Sequence, residues 1–148
     1  MSLEWKIKRF ETLSAVEIYD LLQLRSEVFV VEQNCVYQDI DGKDSKALHL
    51  IGLDNDLIVA YARLFKPNDY FKQASIGRVV VKPSHRAKQL GHLLMKEAIH
   101  FMKTELNETN ITISAQLYLK NFYESHGFVQ TSEMYLEDEI PHIEMKKE

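Results

Sequence analysis

Two periods of apolar residues alternate along this chain. Period-two alternation marks Trp5–Arg9, Ala47–Leu53 and Leu57–Phe65 as strands, with Asp54-Asn55-Asp56 as the turn joining the last two into a hairpin. On the second hairpin strand Leu57, Val59, Tyr61, Arg63 and Phe65 share one face. Helical spacing appears at Ile18, Leu21, Leu22, Val28 and Phe29. Ser14 with Glu17 forms a capping-box pair, so the helix carrying that stripe starts at Ser14. Arg25 falls on the same stripe and must be paired there, because an isolated buried charge is too costly. Glu32 and the Asp39/Asp41 pair are the nearest acidic partners. Val36–Ser45 and Lys66–Lys72 read as loops, the first turning at Gly42.

The second half continues the alternation. Ala74–Lys82 is β-branched and predicts a strand, Lys82-Pro83-Ser84 breaks it, and an amphipathic helix runs on to Leu106. Ile111–Ala115 is a further short strand. A helix over Leu117–Ser125 ends at His126-Gly127, where Gly127 suits a left-handed C′ position. Phe128–Tyr135 and His142–Lys146 are the last strands, around an acidic loop at Glu137-Asp138-Glu139. Strands interleaved with helices predict an α/β or α+β fold with a mixed sheet, and 148 residues without repeat or linker predict one domain spanning 1–148.

Charge and composition narrow the function classes. A net charge of −4 argues against a general nucleic-acid or anionic-membrane partner. The N-terminus has no apolar h-region, and no apolar run approaches ~18 residues, so neither secretion nor a membrane span is expected. The single cysteine, Cys35, has no internal disulfide partner, which suits a reducing cytoplasm. Nothing basic in sequence near Cys35 predicts a lowered thiol pKa. The six histidines form no His-x-x-x-His or Cys/His cluster, so no metal is expected.

Against that acidic background, Arg78 to Lys96 holds five Lys/Arg and no Asp or Glu. A β-branched strand, a basic turn and a helix start gather backbone N–H groups and the positive end of a helix dipole at one place. Arg86-x-x-x-x-Gly91 would suit a diphosphate, Gly91 allowing close backbone approach. It is not a nucleotide-triphosphatase loop, lacking Gly-Lys-Ser/Thr, nor a three-glycine dinucleotide fingerprint. A basic helix N-terminus facing water would show the same local pattern.

Val79-Val80-Val81-x-Pro-x-x-Arg86-x-x-x-Leu90-Gly91-x-Leu93-Leu94 resembles the acetyl-CoA-binding motif of the GNAT superfamily of acyl-CoA N-acyltransferases, with Gln89 where the family's first glycine is expected. Ala115-Gln116 followed by Phe122-Tyr123-Glu124-x-x-Gly127-Phe128 is similar to the family's closing strand–helix segment. Leu-Arg25-x-x-Val-Phe29-Val-Val-Glu32-Gln33-Asn34-Cys35, then Tyr37-Gln38-Asp39-Ile40-Asp41-Gly42, His49 and Pro141-His142 resemble its ElaA-like branch, with a more distant similarity to acyl-homoserine-lactone synthases. The resemblance implies a GNAT-like fold: a splayed mixed β-sheet flanked by helices. It implies acetyl-CoA as acyl donor, with the backbone of Val79, Val80 and Val81 on the pantetheine arm. Arg86, Ala87, Lys88, Gln89, Leu90, Gly91 and His92 would hold the pyrophosphate, and Gln116 and Asn121 would add cofactor contacts. Tyr123 would be the general acid for the departing thiolate, a role a phenol of pKa ~10 can fill.

The implied reaction is transfer of an acetyl group to a small-molecule or peptide amine by direct attack in a ternary complex, in a monomer or homodimer. A non-catalytic acyl-CoA-binding regulatory module, an acyl-homoserine-lactone-synthase-like acyltransferase, and a structural or partner-binding α/β domain whose basic turn meets no cofactor are the alternatives. Amine attack needs a free amine, so Glu32, His49 and His142 are candidate bases or substrate contacts. Arg25, Asp39, Asp41, Arg63 and Arg78 are candidates for the acceptor side. Pairing of Glu32 and Asp41 with Arg25, Arg63 or Arg78 is the competing, purely structural reading.

Overall fold

A computed structural model describes residues 1–148. Four antiparallel strands open the sheet in sequence order: β1 (Leu3–Arg9), β2 (Leu48–Asp54), β3 (Leu57–Phe65) and β4 (Ala74–Val81). The register of β1 on β2 places Trp5 opposite Gly52, where any Cβ would come 2.7 Å from the indole. Beyond β4 lies β5 (Ile111–Gln116), parallel to it, and then β8 (Ile140–Lys147), antiparallel to β5. Two short strands, β6 (Val129–Gln130) and β7 (Tyr135–Glu137), both pair with β8.

A parallel β4–β5 pair needs a long crossover, and α2 (Leu90–Leu106) supplies it. Its stripe of Leu90, Leu94, Met95, Ala98 and Met102 is fully buried against Leu50, Ala62, Leu64 and Ile113, forming the larger of two cores. The smaller core lies on the other face, where Leu21, Leu24 and Val28 cover Ile51, Tyr61 and Val80. Leu21 and Leu24 belong to α1 (Ala15–Arg25), which starts at Ser14 with both capping-box hydrogen bonds formed.

Three local departures from sequence expectation bear on function. First, the helix expected to carry its apolar stripe through Phe29 is α-helical only to Arg25 and widens into a π-helical turn over Ser26–Glu32. There the Gln33 N–H donates to Val28 O and the Cys35 N–H to Val30 O, each at 3.1 Å. Second, the helix expected over Leu117–Ser125 opens as a 3₁₀ turn at Leu117–Leu119 and becomes α3 only over Lys120–Glu124, ending at Gly127 with φ +92°. Third, the strand expected over Phe128–Tyr135 is broken into β6 and β7. Between them Ser132 Oγ accepts from the Glu144 N–H at 2.9 Å, so a side chain replaces a ladder bond.

Candidate active site

The sheet opens where β4 and β5 part. Their pairing is confined to Ala74–Ile111 and Ser75–Thr112, after which the strands diverge. On its other edge β4 carries a bulge: Tyr61 faces Val80 but Arg63 faces Gly77, which puts one extra residue in β4. Arg78 absorbs it with φ +50°. Beneath the divergence is a cavity of about 700 Å³. Six consecutive residues, Ile76 to Val81, line it. Side chains alternate between faces, so an unbroken run shows that the cavity meets the free backbone edge of β4. An extended arm can add to such an edge by main-chain hydrogen bonds.

The basic turn stands at one end of this edge. After a 3₁₀ stretch over Pro83–Lys88, Gln89 adopts a left-handed conformation (φ 54°, ψ 27°) and becomes the N-cap of α2. Glycine adopts this conformation without penalty, which gives a physical meaning to Gln89 standing where the resemblance expects a glycine. The N–H groups of Gln89, Leu90 and Gly91 make no backbone hydrogen bond, whereas His92 N–H is committed to Gln89 O at 3.1 Å. Three free donors at a helix start suit an anion; His92 contributes none of them, contrary to expectation. Its Nδ1 lies 2.9 Å from His126 Nε2, and burial, then the neighbouring His92 and Lys96, hold His126 below the usual histidine range. Ala87 and Lys88 are exposed beside the turn, Leu90 is fully buried in the core, and Asn121 is exposed on α3; none of these four lines the cavity.

The π turn straps the open end of the cavity through two consecutive residues. Glu32 makes a two-pronged ion pair with Arg86, at 2.7 Å to Nη1 and 2.6 Å to Nη2. Hydrogen bonding and charge from Arg86 hold this carboxyl below the usual range. Gln33 and Gln116 exchange reciprocal amide hydrogen bonds at 3.4 and 3.2 Å. Two sequence expectations change here. The partner of Glu32 is Arg86, not Arg25, Arg63 or Arg78, and Gln116 reaches the cavity already engaged by Gln33, a residue sequence reasoning did not single out.

Tyr123 lies on α3 against Phe122 and Phe128, 7 % exposed. It lines the cavity, and its hydroxyl makes no hydrogen bond within the protein. Burial, with a lesser effect of Tyr118, pushes its phenol up, so it keeps its proton at neutral pH. On the opposite wall His142, also 7 % exposed, faces Gln116 across β5–β8 and Tyr135 across β7–β8. Its Nδ1 is 2.7 Å from Ile140 O and its Nε2 is 3.4 Å from Glu137 Oε2. Of the candidate bases, Glu32 and His142 line the cavity and His49 does not.

His49 belongs to a buried structural network. Its Nε2–H donates to Asp44 O at 2.9 Å, so Nδ1 accepts from the Tyr61 hydroxyl at 2.6 Å. With both nitrogens engaged it cannot serve as a base, and burial holds it below the usual histidine range. Beside it three guanidiniums meet three carboxylates. Arg25, wholly buried, donates to Asp39 Oδ2 (2.9 Å), Asp39 O (3.0 Å) and Asp44 Oδ1 (2.7 Å). Arg63 holds Asp41 in a two-pronged pair and also donates to Asp44 at 2.9 Å. Arg78 Nε lies 2.7 Å from Asp39 Oδ1, and the Tyr37 hydroxyl donates to the same oxygen at 2.8 Å. Arg25, Arg63, Asp39 and Asp41 therefore anchor the loop between α1 and β2; they do not line the cavity, as acceptor-side contacts would. Arg78 alone of the acceptor-side candidates does. Asp44, the hub between two arginines, carries no sequence signal of that role, because its local context is that of an ordinary polar turn.

No group of three or more His, Cys, Asp or Glu side chains is placed to hold a metal ion, and no helix is long and apolar enough to cross a membrane. The family described as "Acetyltransferase (GNAT) domain" matches residues 11–148. Protein ElaA of Escherichia coli is 43% identical over 148 residues, covering 99% of this chain and 97% of that one. A UPF0039 protein of Schizosaccharomyces pombe is 42% identical, covering 99% and 98%. Among solved structures, an acyl-CoA N-acyltransferase from Pseudomonas aeruginosa superposes with a TM-score of 0.93 at 43% identity, covering 99% of this chain and all of that one. E. coli ElaA does so at 0.92 and 42%, with the same coverage. A splayed sheet, a helix start with free amides and these full-length likenesses agree: the chain belongs to the GNAT acetyltransferase family, as a homologue of ElaA.

Proposed function

We propose that the protein is an acetyl-CoA-dependent N-acetyltransferase acting on a primary amine. The observation that carries this reading is the line-up along one cavity: the anion turn at Gln89–Gly91, the free backbone edge at Gly77–Val81, and the unpartnered hydroxyl of Tyr123. These suit, in order, the pyrophosphate, the pantetheine arm and the thiolate leaving group of a CoA thioester. A Thermoplasma acidophilum PaiA N-acetyltransferase solved with coenzyme A has the same fold (TM-score 0.72) at 19% identity. The amine attacks the thioester carbon directly, the C–S bond breaks, and Tyr123 protonates the sulfur. Positioning and backbone donors at the developing oxyanion supply most of the acceleration.

Thermal unfolding with added acetyl-CoA tests the first step, because a ligand of the native state must raise the midpoint. CoA release with a broad amine panel tests the second. Tyr123→Phe should retain the acetyl-CoA shift and lose about 10²- to 10⁴-fold in kcat. Binding with no amine-dependent release would leave an acyl-CoA-binding module; no shift at millimolar acetyl-CoA would sink both readings.

A further inference from the structure

One segment crosses the open end of the cavity and is held there by polar side chains. It runs from Val31, in the π turn, to Val36. These two are 72 % and 98 % exposed, and no residue between them is buried. Helix α1, by contrast, is fixed in the smaller core through Leu21 and Leu24, and the π turn through Val28. The segment itself adds little apolar burial, the condition under which a piece of chain opens without disturbing the fold. Its backbone continues the wide turn, with Gln33 N–H on Val28 O and Cys35 N–H on Val30 O, and bends at Asn34 with φ 50°. Wide turns of this kind are frequent at functional sites.

Each tie of this strap lands on a different element. Glu32 takes both Nη atoms of Arg86 on the basic turn. Gln33 exchanges hydrogen bonds in both directions with Gln116 at the end of β5. Cys35 Sγ meets Asp138 O, between β7 and β8, at 3.4 Å. The first two ties share their chemistry with the proposed donor. Glu32 sets an anion on the guanidinium of the turn that carries the free amides of Gln89 to Gly91. Gln33 sets a carboxamide on Gln116, donating one hydrogen bond and accepting one, as a peptide-like amide does. A CoA arm carries the same two groups in one molecule: a diphosphate and the amides of pantetheine. Glu32, Gln33, Arg86 and Gln116 all line the cavity that such an arm would enter.

We infer that Glu32 and Gln33 form an autoinhibitory strap that imitates the CoA arm. Glu32 occupies Arg86 in place of the diphosphate, Gln33 occupies Gln116 in place of a pantetheine amide, and acetyl-CoA binds by displacing each with the group it imitates. The inference rests on the acetyl-CoA reading above. Each exchange replaces a hydrogen-bonded pair by another of the same kind, so neither Arg86 nor Gln116 is left unpaired at any stage. The strap therefore keeps the cavity polar-satisfied without ligand, and it subtracts from donor affinity when ligand arrives. Acetyl-CoA and product CoA share the arm, so both are weakened alike. Binding energy that is equal along the reaction adds nothing to turnover, so this loss costs little in rate. The π turn at one end and the Cys35 contact at the other hold the strap close enough to re-form its ties as CoA leaves.

The test measures three ligands on the full chain by calorimetry at low salt. They are acetyl-CoA, ADP (a diphosphate with no amide arm) and S-acetylpantetheine (the amide arm with no phosphate). Glu32→Gln should tighten ADP and acetyl-CoA by up to ~5-fold and leave S-acetylpantetheine unchanged. Gln33→Ala should tighten S-acetylpantetheine and acetyl-CoA by about 2- to 10-fold and leave ADP unchanged. In the unaltered protein, NMR should show the Gln33 side-chain amide protons exchanging faster with water once acetyl-CoA is bound. Both variants tightening all three ligands alike would mean a general loosening of the cavity mouth and would overturn the mimic. So would unchanged acetyl-CoA affinity in both variants, or Gln33 amide protons equally protected with acetyl-CoA bound. Acetyl-CoA that binds neither the unaltered protein nor either variant overturns the donor reading itself, and the mimic falls with it.

Discussion

Replacing Arg25 tests whether the buried charge network holds the loop beneath the cavity. In the native protein Arg25, Arg63 and Arg78 balance Asp39, Asp41 and Asp44, and Arg25 alone makes three of the hydrogen bonds. Arg25→Ala leaves a net negative charge at a site with no water access to the missing side chain. Removing one partner of a buried pair costs about 3–5 kcal/mol. The lower end applies here, because Asp39 keeps Arg78 and Tyr37, and Asp44 keeps Arg63. Arg25→Met restores the apolar stem and recovers roughly 2 kcal/mol of packing. Urea unfolding at pH 7, followed through the lone tryptophan Trp5, reads both. The further change Asp44→Asn restores neutrality, so the double variant Arg25→Met/Asp44→Asn should beat the sum of its singles by at least about 1 kcal/mol. Strict additivity, or an Arg25→Met variant within about 0.5 kcal/mol of wild type, would refute the network argument.

Glu32→Gln frees Arg86 from an exposed pair worth about 0.2–1 kcal/mol, so acetyl-CoA should bind up to ~5-fold tighter by calorimetry at low salt; unchanged affinity would mean that Glu32 does not compete with the pyrophosphate. Gln89→Gly removes a left-handed non-glycine residue, a strain of about 1–2 kcal/mol, at an entropic cost of about 0.5–1 kcal/mol; the unfolding midpoint should rise by about 2–4 °C, whereas β-branched Gln89→Val should lower it. Acid should destabilise the fold in two stages. His49 and His126 titrate below their unfolded values, so the unfolded chain takes up protons first and stability begins to fall below about pH 6.5. Burial raises the carboxyls of Asp41 and Asp44, but hydrogen bonds and charge from Arg63 and Arg25 outweigh it; their contribution stands above about pH 4 and is lost as pH falls through their depressed folded values. Denaturant midpoints measured across that range check both stages, and a flat profile from pH 7 to pH 4 would contradict the first.

Local chemistry made the donor half legible. A β-branched strand, a Pro break, a basic turn and an amphipathic helix each act within a few residues, so Ile76 to Met102 announces its own geometry. Arg25 was legible as a buried charge in need of a partner, because periodicity alone puts it on the apolar stripe. Which acid it takes was not, since the choice among Asp39, Asp41, Asp44 and Glu32 depends on how a loop of polar residues closes over β3. The π turn was hidden for a related reason: one extra residue per turn leaves no compositional trace, yet it decides that Glu32 and Gln33 point across the cavity. Glu137 read as a solvated loop acid because nothing local couples it to Ser114, twenty-three residues away and on another strand.

That division follows from what each half of the site must do. The CoA side is built from main-chain amides and a strand edge, whose geometry many sequences can provide, so Gln can stand in a glycine's place at a cost of about 1–2 kcal/mol. The opposite side is built from side chains brought together by tertiary structure: Ser114 from β5, Tyr135 and Glu137 from β7, His142 from β8. Arg78 joins the two halves, because its bulged backbone borders the cavity while its guanidinium enters the ion network under the loop. A disturbance of the network at Arg25 can therefore reach the strand edge through Asp39 and Arg78 without touching any residue that meets substrate.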